Sequence, residues 1–555
     1  MQNIEKQLTT EENINLNFFK WLFEKNDIVL YSEEDKKPKK DFKFDCLTIY
    51  YTQELKSFFE TEPMQRLKRI LQLGNFIDND SNVLHTRYEH SIGVYNLKRS
   101  IILKQFLCNP NFRHYIEQNK LKKYLIAELI KSAGHDIGHL PLSHDLELSV
   151  IEKPGFHEKI GKRLLLENSS ILNCLNNISV DMPDILKSVL ENDYFGFKLL
   201  DEGNFDIDRF DYMYRDLAYR GQAQSIQTFP AFKLVPVDFE NIYKGSKPKK
   251  NKNGSILVSN NLGRNSFIPV FSIDLLPQIE EFLKLRLKCY SESYFHPITQ
   301  IRDKSVCIVI NKAIDTNEPN GKALQDFLVK LKSYNDETDV NLDEWLSWND
   351  LNFFDQLLDI AEFSENASLR KATSFAIPGL DGLFDMSAKM LSLKENNKKL
   401  SKFDKKFLQR LHRYLTTKGE LIDNLKDFDY WDKCIKFTTN YDNIKKLSSS
   451  SIPIEYYSHK IVGYNLKEPI YFETHDGQIF SYDSLPNRPN AVSSKTVSSG
   501  VAFCILPFLD ESDLKNPDFK LLDGKNNYTF GTPYLNRPSP APIYINKSYS
   551  EQEEK

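Results

Sequence analysis

Residues 132–144 read SAGHDIGHLPLSH, which places three histidines and an aspartate close together in the chain. The adjacent pair His135-Asp136 can offer a neutral nitrogen and an anionic oxygen to one divalent ion, and His139 lies one helical turn further on. One such segment supplies too few ligands to complete a metal site. The stretch therefore predicts a metal site that is completed by side chains from elsewhere in the chain.

The sequence around this stretch is typical of helices. Residues 121–133 repeat apolar side chains at helical spacing, and Gly134 then leaves room for the backbone to approach a metal. Similar patterns predict helices at 91–107, 156–167, 207–218, 274–293 and 298–314, the last of them after Pro297. We therefore expect a mainly α protein with a helical bundle as its core.

Two regions break the helical pattern. Apolar runs at 255–259 and 267–271 lie on either side of residues 260–263, NNLG, which predicts a small β-hairpin inserted on the helices. From residue 452 the patterns indicate short strands and turns, which predicts a mixed α/β C-terminal section; these signals lie at 461–464, 470–472, 476–477 and 523–524.

Composition narrows the class of protein. The chain has 555 residues, of which 40% are hydrophobic and 27% charged, enough for a large core. Its net charge of −4 argues against a surface that coats nucleic acid. Long apolar runs and a secretory signal are lacking, so we expect a cytoplasmic protein that does not bind membranes. Seven cysteines without a CxxC pair indicate reduced thiols.

Two further segments contain candidate metal ligands. His90 lies in residues 85–91, HTRYEHS, and Asp208 lies in residues 206–212, DIDRFDY. Taken alone, Asp208 could equally be a surface carboxylate near a helix start. Arg87 precedes His90 by three residues and could be either a salt-bridging surface arginine or a phosphate-binding group.

Taken in chain order, these motifs resemble those of the HD-type metal phosphohydrolases. The matching segments are QLG at 72–74, RYEHS at 87–91, HDIGH at 135–139, HE at 157–158 and DRFDY at 208–212. Within that superfamily they are similar to the deoxynucleoside triphosphate (dNTP) triphosphohydrolases, in particular the sterile-alpha-motif-and-HD type and its bacterial relatives. The resemblance implies an HD-type helical bundle that converts dNTP and water to deoxynucleoside and triphosphate.

The resemblance also implies a role for each matching residue. The metal ligands would be His90, His135, Asp136 and Asp208, which would hold Mn, Mg, Fe or Zn. The catalytic residues would be His144 as general acid, His139 and His157 around the phosphate or water, and Glu147 orienting one of the rings. The substrate-binding residues would be Gln72, Leu73, Arg87, Arg209, Tyr212, Asp216, Arg286 and Tyr294.

Regulation is implied by the same resemblance. Glu60, Gln65 and Lys68 occupy a segment where relatives bind an activating nucleotide between subunits. Glu60 replaces an aspartate and Lys68 an arginine of the family pattern, which argues for a different base preference. We therefore expect an activating nucleotide and a homo-oligomer, either a dimer, a tetramer or a hexamer.

We expect four parts: an N-terminal extension at 1–45, an HD phosphohydrolase core at 46–330, a helical continuation at 331–446 and the C-terminal section at 452–555. The extension is too short for a sterile alpha motif, and its residues 21–23, WLF, suggest a short packed helix.

Two other functions compete with dNTP hydrolysis. The first is another HD phosphohydrolase that cleaves cyclic nucleotides or nucleic acid, and Gln72, Tyr212 and Asp216 argue against it. The second is a non-catalytic nucleotide sensor, which would not need a complete set of acid and base residues. As a dNTP hydrolase, the protein would serve either control of the nucleotide pool or antiviral dNTP depletion.

Overall fold

The computed structural model of the protein describes most of the chain, and the structural statements below concern those residues. They are 30–33, 49–74, 84–147, 155–191, 203–219, 229–237, 248–258, 266–290, 294, 297–334, 336–376, 435–462, 464–466, 469–485 and 496–522. The predicted helix at 21–23, the hairpin connection at 260–263 and the turn at 523–524 lie outside them.

Helices dominate the described residues, which confirms the prediction of a mainly α protein. Those before residue 220 are α1 (Gln53–Phe59), α2 (Glu62–Arg66), α3 (Arg87–Cys108), α4 (Pro110–Gln118), α5 (Lys122–Gly134), α6 (Phe156–Glu167), α7 (Ser169–Ile178), α8 (Met182–Glu191) and α9 (Ile207–Tyr219). Those after it are α10 (Leu276–Cys289), α11 (Pro297–Asp315), α12 (Lys322–Ser333), α13 (Leu342–Ser347), α14 (Asp350–Phe363), α15 (Ala367–Ala376), α16 (Tyr441–Leu447) and α17 (Glu511–Lys515).

Three helices set the frame of the site, because α3 packs against both α5 and α9. The start of α3 is fixed by a capping box, in which Thr86 and Glu89 each accept a hydrogen bond from the backbone N–H of the other. A buried ion pair between Lys98 Nζ and Glu128 Oε2, 2.8 Å long, links α3 to α5. The first turns of α3 and α9 and the end of α5 consequently lie side by side.

Two glycines allow the close approaches that this packing needs. A Cβ atom at Gly93 would overlap the carboxylate of Asp211, so glycine lets α3 and α9 approach each other. A Cβ atom at Gly138 would overlap the carbonyl oxygen of His157 and lie 2.5 Å from the backbone nitrogen of Gly161. The loop that follows α5 can therefore lie directly against α6.

The role predicted for Gly134 was wrong. A Cβ atom there would meet Leu165 Cδ2 at 2.8 Å and the Phe58 ring at 3.2 Å, so this glycine faces apolar packing and not a metal site. Gly134 lies in the last turn of α5, on the face of that helix that packs against α6 and α1. The glycine that the loop requires is Gly138.

Three small sheets accompany the helices within the described residues. β1 (Leu30–Glu33) pairs with β2 (Ile49–Thr52). The second sheet has the order β3 (Phe232–Val237), β4 (Ser266–Ser272), β7 (Tyr471–Glu473) and β8 (Ile479–Ser481); the third has the order β5 (Ile435–Thr438), β9 (Thr496–Ile505) and β6 (Glu455–Val462). All pairs are antiparallel except β4 with β7, where Val270 lies opposite Tyr471. The mixed α/β C-terminal section is thereby confirmed.

The inserted hairpin exists, but one of its strands differs from the prediction. β4 pairs with β3, with Phe267 opposite Pro236, whereas the predicted partner at 255–258 forms only isolated bridges. The bridge between Lys250 and Ile256 closes a turn of its own around Gly254. Those residues therefore fold on the rim of the sheet and do not supply its second long strand.

A continuous hydrophobic core joins the early and late helices. One cluster of buried side chains runs from Leu55 through Trp345 and Leu358 to Ile505. The helices after residue 330 thus pack on the same core as α3 and α5, although the predicted domain bounds remain a prediction.

No described helix has an apolar stretch long enough to cross a membrane. The described cysteines are free thiols, and of these Cys108 alone is exposed.

We predict that Gly138→Ala destabilises the protein more than Gly134→Ala. The added methyl group at position 138 meets backbone atoms that cannot rotate away, whereas at 134 it meets the end of a leucine side chain. Overpacking of this kind costs about 1–3 kcal/mol. Thermal melting followed by circular dichroism should show a clear drop for Gly138→Ala and a smaller one for Gly134→Ala. Equal melting temperatures for the two variants would contradict the assignment.

Candidate active site

Side chains from three helices converge at one point. His90 in the first turn of α3, His135 directly after α5 and Asp208 in the first turn of α9 each offer a ligand atom, and these atoms lie within 4.8 Å of one another. The Nε2 atom of His90 lies 3.1 Å from Nε2 of His135 and 2.9 Å from Oδ1 of Asp208. We call these three residues the metal group.

Hydrogen bonds behind the two imidazoles direct their other nitrogens to this point. Nδ1 of His135 donates to the carbonyl oxygen of Ser132 at 2.9 Å, and Nδ1 of His90 lies 2.9 Å from Oδ2 of Asp211. Partners of this kind hold metal-binding histidines in one tautomer and orientation. Two imidazole nitrogens beside a carboxylate are a donor set that divalent transition metals prefer. The residues present therefore fit a divalent metal ion.

The electrostatics of the metal group favour a cation. Burial alone would lower the pKa of His90, but hydrogen bonds with Asp208 and Asp211 outweigh it and raise that pKa to about 10. Burial alone would raise the pKa of Asp208, but hydrogen bonds from His135 and His90 hold it below its ordinary value. The surrounding carboxylates thus stabilise positive charge here, whether a proton or a metal ion carries it.

Asp136, the fourth predicted ligand, borders the metal group. Its Oδ1 lies 3.4 Å from Nε2 of His135 and 3.3 Å from Nε2 of His139, and its Oδ2 lies 3.8 Å from Nε2 of His90. Arg87 donates from Nη1 to Oδ2 of Asp136 at 2.6 Å. Burial opposes ionisation of Asp136, but Arg87 and the neighbouring histidines hold its pKa well below the usual range. Asp136 can therefore bind an ion by sharing its carboxylate with Arg87.

Arg87 connects several parts of the site. Its guanidinium is buried and, besides Asp136, donates to Ser143 Oγ at 2.8 Å and to the Gln72 carbonyl oxygen at 3.5 Å. The sequence left open whether Arg87 is a salt-bridging surface arginine or a phosphate-binding group. Its contacts are those of a salt-bridging arginine, but the ion pair with Asp136 is buried and not on the surface. The predicted contact between Arg87 and phosphate stays a prediction.

A cluster of three histidines lies beside Asp136. The rings of His139 and His157 stack with centroids 3.9 Å apart, and His144 meets them edge-on at 4.8 and 5.0 Å. Ring nitrogens of all three lie within 4.8 Å of one another. Unlike the metal group, this histidine cluster offers no carboxylate among its three ligand atoms, and imidazoles are the side chains that exchange protons near neutral pH.

Glu147 orients the histidine cluster. Its Oε2 lies 2.6 Å from Nδ1 of His157, its Oε1 accepts the backbone N–H of His157 at 3.0 Å, and Nδ1 of His144 lies 3.6 Å from Oε2. Burial alone would raise the pKa of Glu147, but hydrogen bonds from His144 and His157 lower it to about 2. Glu147 is thus an anion that holds His157 firmly and His144 more loosely.

The backbone directly before His144 is strained. Leu142 has a φ of 56° and Ser143 a φ of 55°, values that glycine adopts more readily than other residues. Each such residue costs about 1–3 kcal/mol. The Ser143 hydroxyl donates to the Leu71 carbonyl oxygen at 3.2 Å and accepts from Arg87, which holds this conformation. The sharp turn places the His144 ring against those of His139 and His157 while leaving its side chain 57% exposed.

Several predicted substrate residues lie on the α9 side of the metal group. The Tyr212 ring has its centroid 6.2 Å from that of His90, and its hydroxyl lies 2.8 Å from the hydroxyl of Tyr290. Asp216 is held by His85, whose Nε2 lies 2.6 Å from its Oδ1, and by the hydroxyl of Tyr294. The structure thus brings Tyr212, Asp216 and Tyr294 together.

The other predicted substrate residues form two groups. Arg209 donates to the Gly203 carbonyl oxygen and to Asp206, and Arg286 of α10 donates to the Asn204 carbonyl oxygen at 2.9 Å, so both guanidinium groups contact the residues just before α9. Gln72 and Leu73 lie on the Arg87 side. The Gln72 Oε1 atom is buried with no hydrogen-bond partner among the described residues, and Leu73 is half-buried.

The predicted activator segment shows mainly local contacts. Gln65 Nε2 donates to the Phe59 carbonyl oxygen at 2.7 Å, Glu60 is exposed, and Lys68 Nζ lies 4.7 Å from the centre of the Tyr88 ring. Arg66, between them, is buried and donates to the His139 carbonyl oxygen at 2.7 Å. Arg66 therefore ties the segment to the loop after α5, residues 135–143, which we call the histidine loop.

Sequence reasoning assigned no role to several residues of the site. Asp211 supports His90, and its place three residues after Asp208 in the same motif was a usable signal. Tyr290 carried no such signal, since a tyrosine near a helix end is ordinary. Asp350, which accepts hydrogen bonds from the backbone of Leu71 and Leu142, comes from outside the region of resemblance.

Comparison with known proteins gives relatives over part of the chain, and no protein-family model matches it. It is 30% identical over 262 residues to an uncharacterized protein of Mycoplasma genitalium, covering 44% of this chain and 53% of that protein. It is 32% identical over 183 residues to the putative HD domain-containing protein L394 of Acanthamoeba polyphaga mimivirus, covering 30% and 40%. The chain spans about half or less of the length of these curated relatives.

Two further similarities concern named hydrolases. The chain is 29% identical over 180 residues to the deoxynucleoside triphosphate triphosphohydrolase SAMHD1 homolog of Dictyostelium discoideum, covering 30% of this chain and 33% of that protein. A solved phosphohydrolase structure from Bacteroides thetaiotaomicron has a TM-score of 0.51 at 17% identity, covering 86% of this chain and 100% of that one, and shows a shared fold. The similarity to proteins named for an HD domain or for triphosphohydrolase activity thus covers 30% of this chain, and the solved structure shares its fold.

We predict that Asp208→Ala abolishes tight binding of a divalent metal while Asp184→Ala does not. Both aspartates lie in the first turn of a helix, but only Asp208 faces the two histidines, whereas Asp184 is exposed on α8. Metal content after dialysis, measured by atomic emission, should fall to background for Asp208→Ala alone, with the helical circular dichroism spectrum retained. Full metal content in Asp208→Ala would contradict the metal group.

Proposed function

We propose that this protein is a metal-dependent dNTP triphosphohydrolase, which converts a dNTP and water into a deoxynucleoside and triphosphate. The observation that carries the proposal is the metal group, bordered through Asp136 by the histidine cluster and on its other side by Tyr212. This reaction needs metal ligands, proton-carrying groups and sugar contacts in one place. The name of the Dictyostelium relative supports the same substrate class.

The chain's own residues would divide the work around the ion. A bound divalent ion neutralises charge on the α-phosphate and lowers the pKa of the attacking water. His90, His135 and Asp208 would hold that ion, with Asp136 as a shared fourth ligand. Arg87, which is paired with Asp136, would balance the added phosphate charge.

Proton transfer falls to the histidine cluster. The attacking water would pass one proton to His139 or His157 as its oxygen bonds to the α-phosphorus, and the bond from phosphorus to the 5′-oxygen breaks with its electron pair moving to that oxygen. His144 would donate a proton to this leaving oxygen, since its side chain is exposed to a bound substrate while Glu147 lies 3.6 Å from its Nδ1. General acid catalysis of this kind contributes about 100- to 10,000-fold in rate. His157, fixed by Glu147, and His139 would contact the phosphate oxygens or the water.

Selection of deoxyribose is assigned to the opposite side of the metal group. The Asp216 carboxylate, held by His85 and Tyr294, would accept the sugar 3′-hydroxyl with its remaining lone pairs. Tyr212, fixed by Tyr290, would occupy the space of a 2′-hydroxyl. The buried Gln72 Oε1 would gain a hydrogen-bond partner from the bound nucleoside. Leu73 would lie beneath the sugar, Arg209 would contact the phosphates, and Arg286 would line the substrate pocket.

Regulation by a second nucleotide is part of the proposal. Glu60, Gln65 and Lys68 would bind an activating nucleotide in a homo-oligomer, and the contact of Arg66 with the His139 carbonyl oxygen supports a physical route from that segment to the histidine cluster. Nucleotide pool control and antiviral depletion are the two settings that such an enzyme would serve.

We predict that purified protein with Mn²⁺ or Mg²⁺ converts dNTPs into deoxynucleosides and triphosphate, with no monophosphate. Ribonucleotides should react at least about tenfold more slowly, because a 2′-hydroxyl would meet Tyr212. Chromatography of single nucleotides and of pairwise mixtures, with a chelated sample as control, measures the products and any activation together. Release of deoxynucleoside monophosphate and pyrophosphate would contradict the proposal and favour another HD phosphohydrolase.

A further inference from the structure

Asp350, the first residue of α14, contacts two loops of the site although it lies far from the motifs in sequence. Its side chain is fully buried. Oδ2 accepts the backbone N–H of Leu71 at 2.7 Å, and Oδ1 accepts the backbone N–H of Leu142 at 3.0 Å. Leu71 directly precedes Gln72, and Leu142 lies two residues before His144. One carboxylate therefore holds both backbone segments.

Neighbours of Asp350 bind the same loops. Trp345 donates from Nε1 to the Gly138 carbonyl oxygen at 3.0 Å. Arg66 donates to the Trp348 carbonyl oxygen and to the His139 carbonyl oxygen, each at 2.7 Å. The segment from Trp345 to Asp350 is thus joined to the histidine loop at several backbone atoms, so its position is well determined relative to the site.

The charge on Asp350 suits this role. Burial raises its pKa to about 6, and the two backbone N–H groups, Arg66 and Arg87 oppose a larger rise. The carboxylate is therefore mainly ionised at neutral pH, the form in which both oxygens accept strong hydrogen bonds. A buried carboxylate costs free energy unless it is paired. The partners of Asp350 are the backbone N–H groups of Leu71 and Leu142, which lie next to predicted site residues.

We propose that Asp350 is a positioning residue that fixes the sugar-binding segment at Gln72 relative to the general acid His144. Its two hydrogen bonds set the distance between these segments, and the strained turn at Leu142 and Ser143 needs such a restraint to stay in one conformation. The inference rests on the proposed function, in which His144 protonates the leaving 5′-oxygen.

The test compares two leaving groups. A nucleoside 5′-oxygen needs a proton as it leaves, whereas the nitrophenolate of bis(para-nitrophenyl) phosphate leaves without one at neutral pH. Turnover of dNTP relative to turnover of this ester therefore reports how well the general acid is placed. A merely structural defect lowers both activities in proportion to the loss of folded protein, and so leaves the ratio unchanged.

Asp350→Asn is the main variant, because it keeps the side-chain size but turns an amide NH₂ toward one of the two backbone N–H groups. Glu318→Gln is the matched control: Glu318 is 5% exposed and accepts from Ser364 Oγ at 2.7 Å and Asn320 Nδ2 at 2.6 Å, outside the site segments. Asp350→Glu, which keeps the charge and displaces it, replaces Asp350→Asn if the latter yields no folded protein.

We expect Asp350→Asn to lower kcat for dNTP at least about tenfold more than kcat for the nitrophenyl ester, with a smaller change in KM. Glu318→Gln should leave the ratio of the two activities unchanged. Equal losses on both substrates in Asp350→Asn would overturn the inference while the wild-type activity upholds the proposed function. A wild-type protein that cleaves the ester and no dNTP would refute the proposed function, and this inference with it.

Discussion

The buried ion-pair network around His90 is the interaction on which the rest of the site depends. His90 lies 2.9 Å from both Asp208 and Asp211, and Arg215 donates to Asp211 at 2.8 and 2.9 Å. Buried charges are tolerated only when each is paired, so α3 and α9 must dock in one register to satisfy this network. Gly93 provides the space for that docking. The contacts that hold the two helices together are consequently the contacts that arrange the metal group.

The histidine cluster depends on a different constraint, exerted on the backbone of the loop after α5. Gly138 lies against the backbone of α6, its carbonyl oxygen accepts from Trp345, and the His139 carbonyl oxygen accepts from Arg66. Asp350 fixes the loop again at Leu142. Because these contacts involve main-chain atoms, they determine where the histidines lie, and the close approach at position 138 is possible only for glycine.

Some of this arrangement could be predicted from the sequence, for chemical reasons. Few side chains bind divalent metals, so the pair His135-Asp136 with His90 and Asp208 was recognisable, and three of these four form the metal group. Helix positions followed from apolar periodicity; the helix expected at 207–218 is Ile207–Tyr219. Glu147 was expected to orient a histidine, and the structure shows that His157 is held most directly.

The remainder depends on tertiary contacts that leave no local trace. Whether Gly134 or Gly138 permits a close approach is decided by the position of α6, which the sequence near either glycine does not specify. The strand at 266–272 pairs with 232–237, and the described residues 248–258 between them close a turn of their own, which the apolar runs alone do not indicate. Asp350 resembles any acidic residue at a helix start, where acidic side chains are common, so nothing in its surroundings indicates two bonds to distant loops.

The most direct measurement of the central claim is anomalous X-ray diffraction from crystals grown with Mn²⁺. The expected result is a peak about 2.0–2.3 Å from Nε2 of His90, Nε2 of His135 and a carboxylate oxygen of Asp208. Asp136 should then turn part of its carboxylate from Arg87 toward the ion. A peak among His139, His144 and His157, with His90 and His135 unliganded, would contradict the assignment of the metal group.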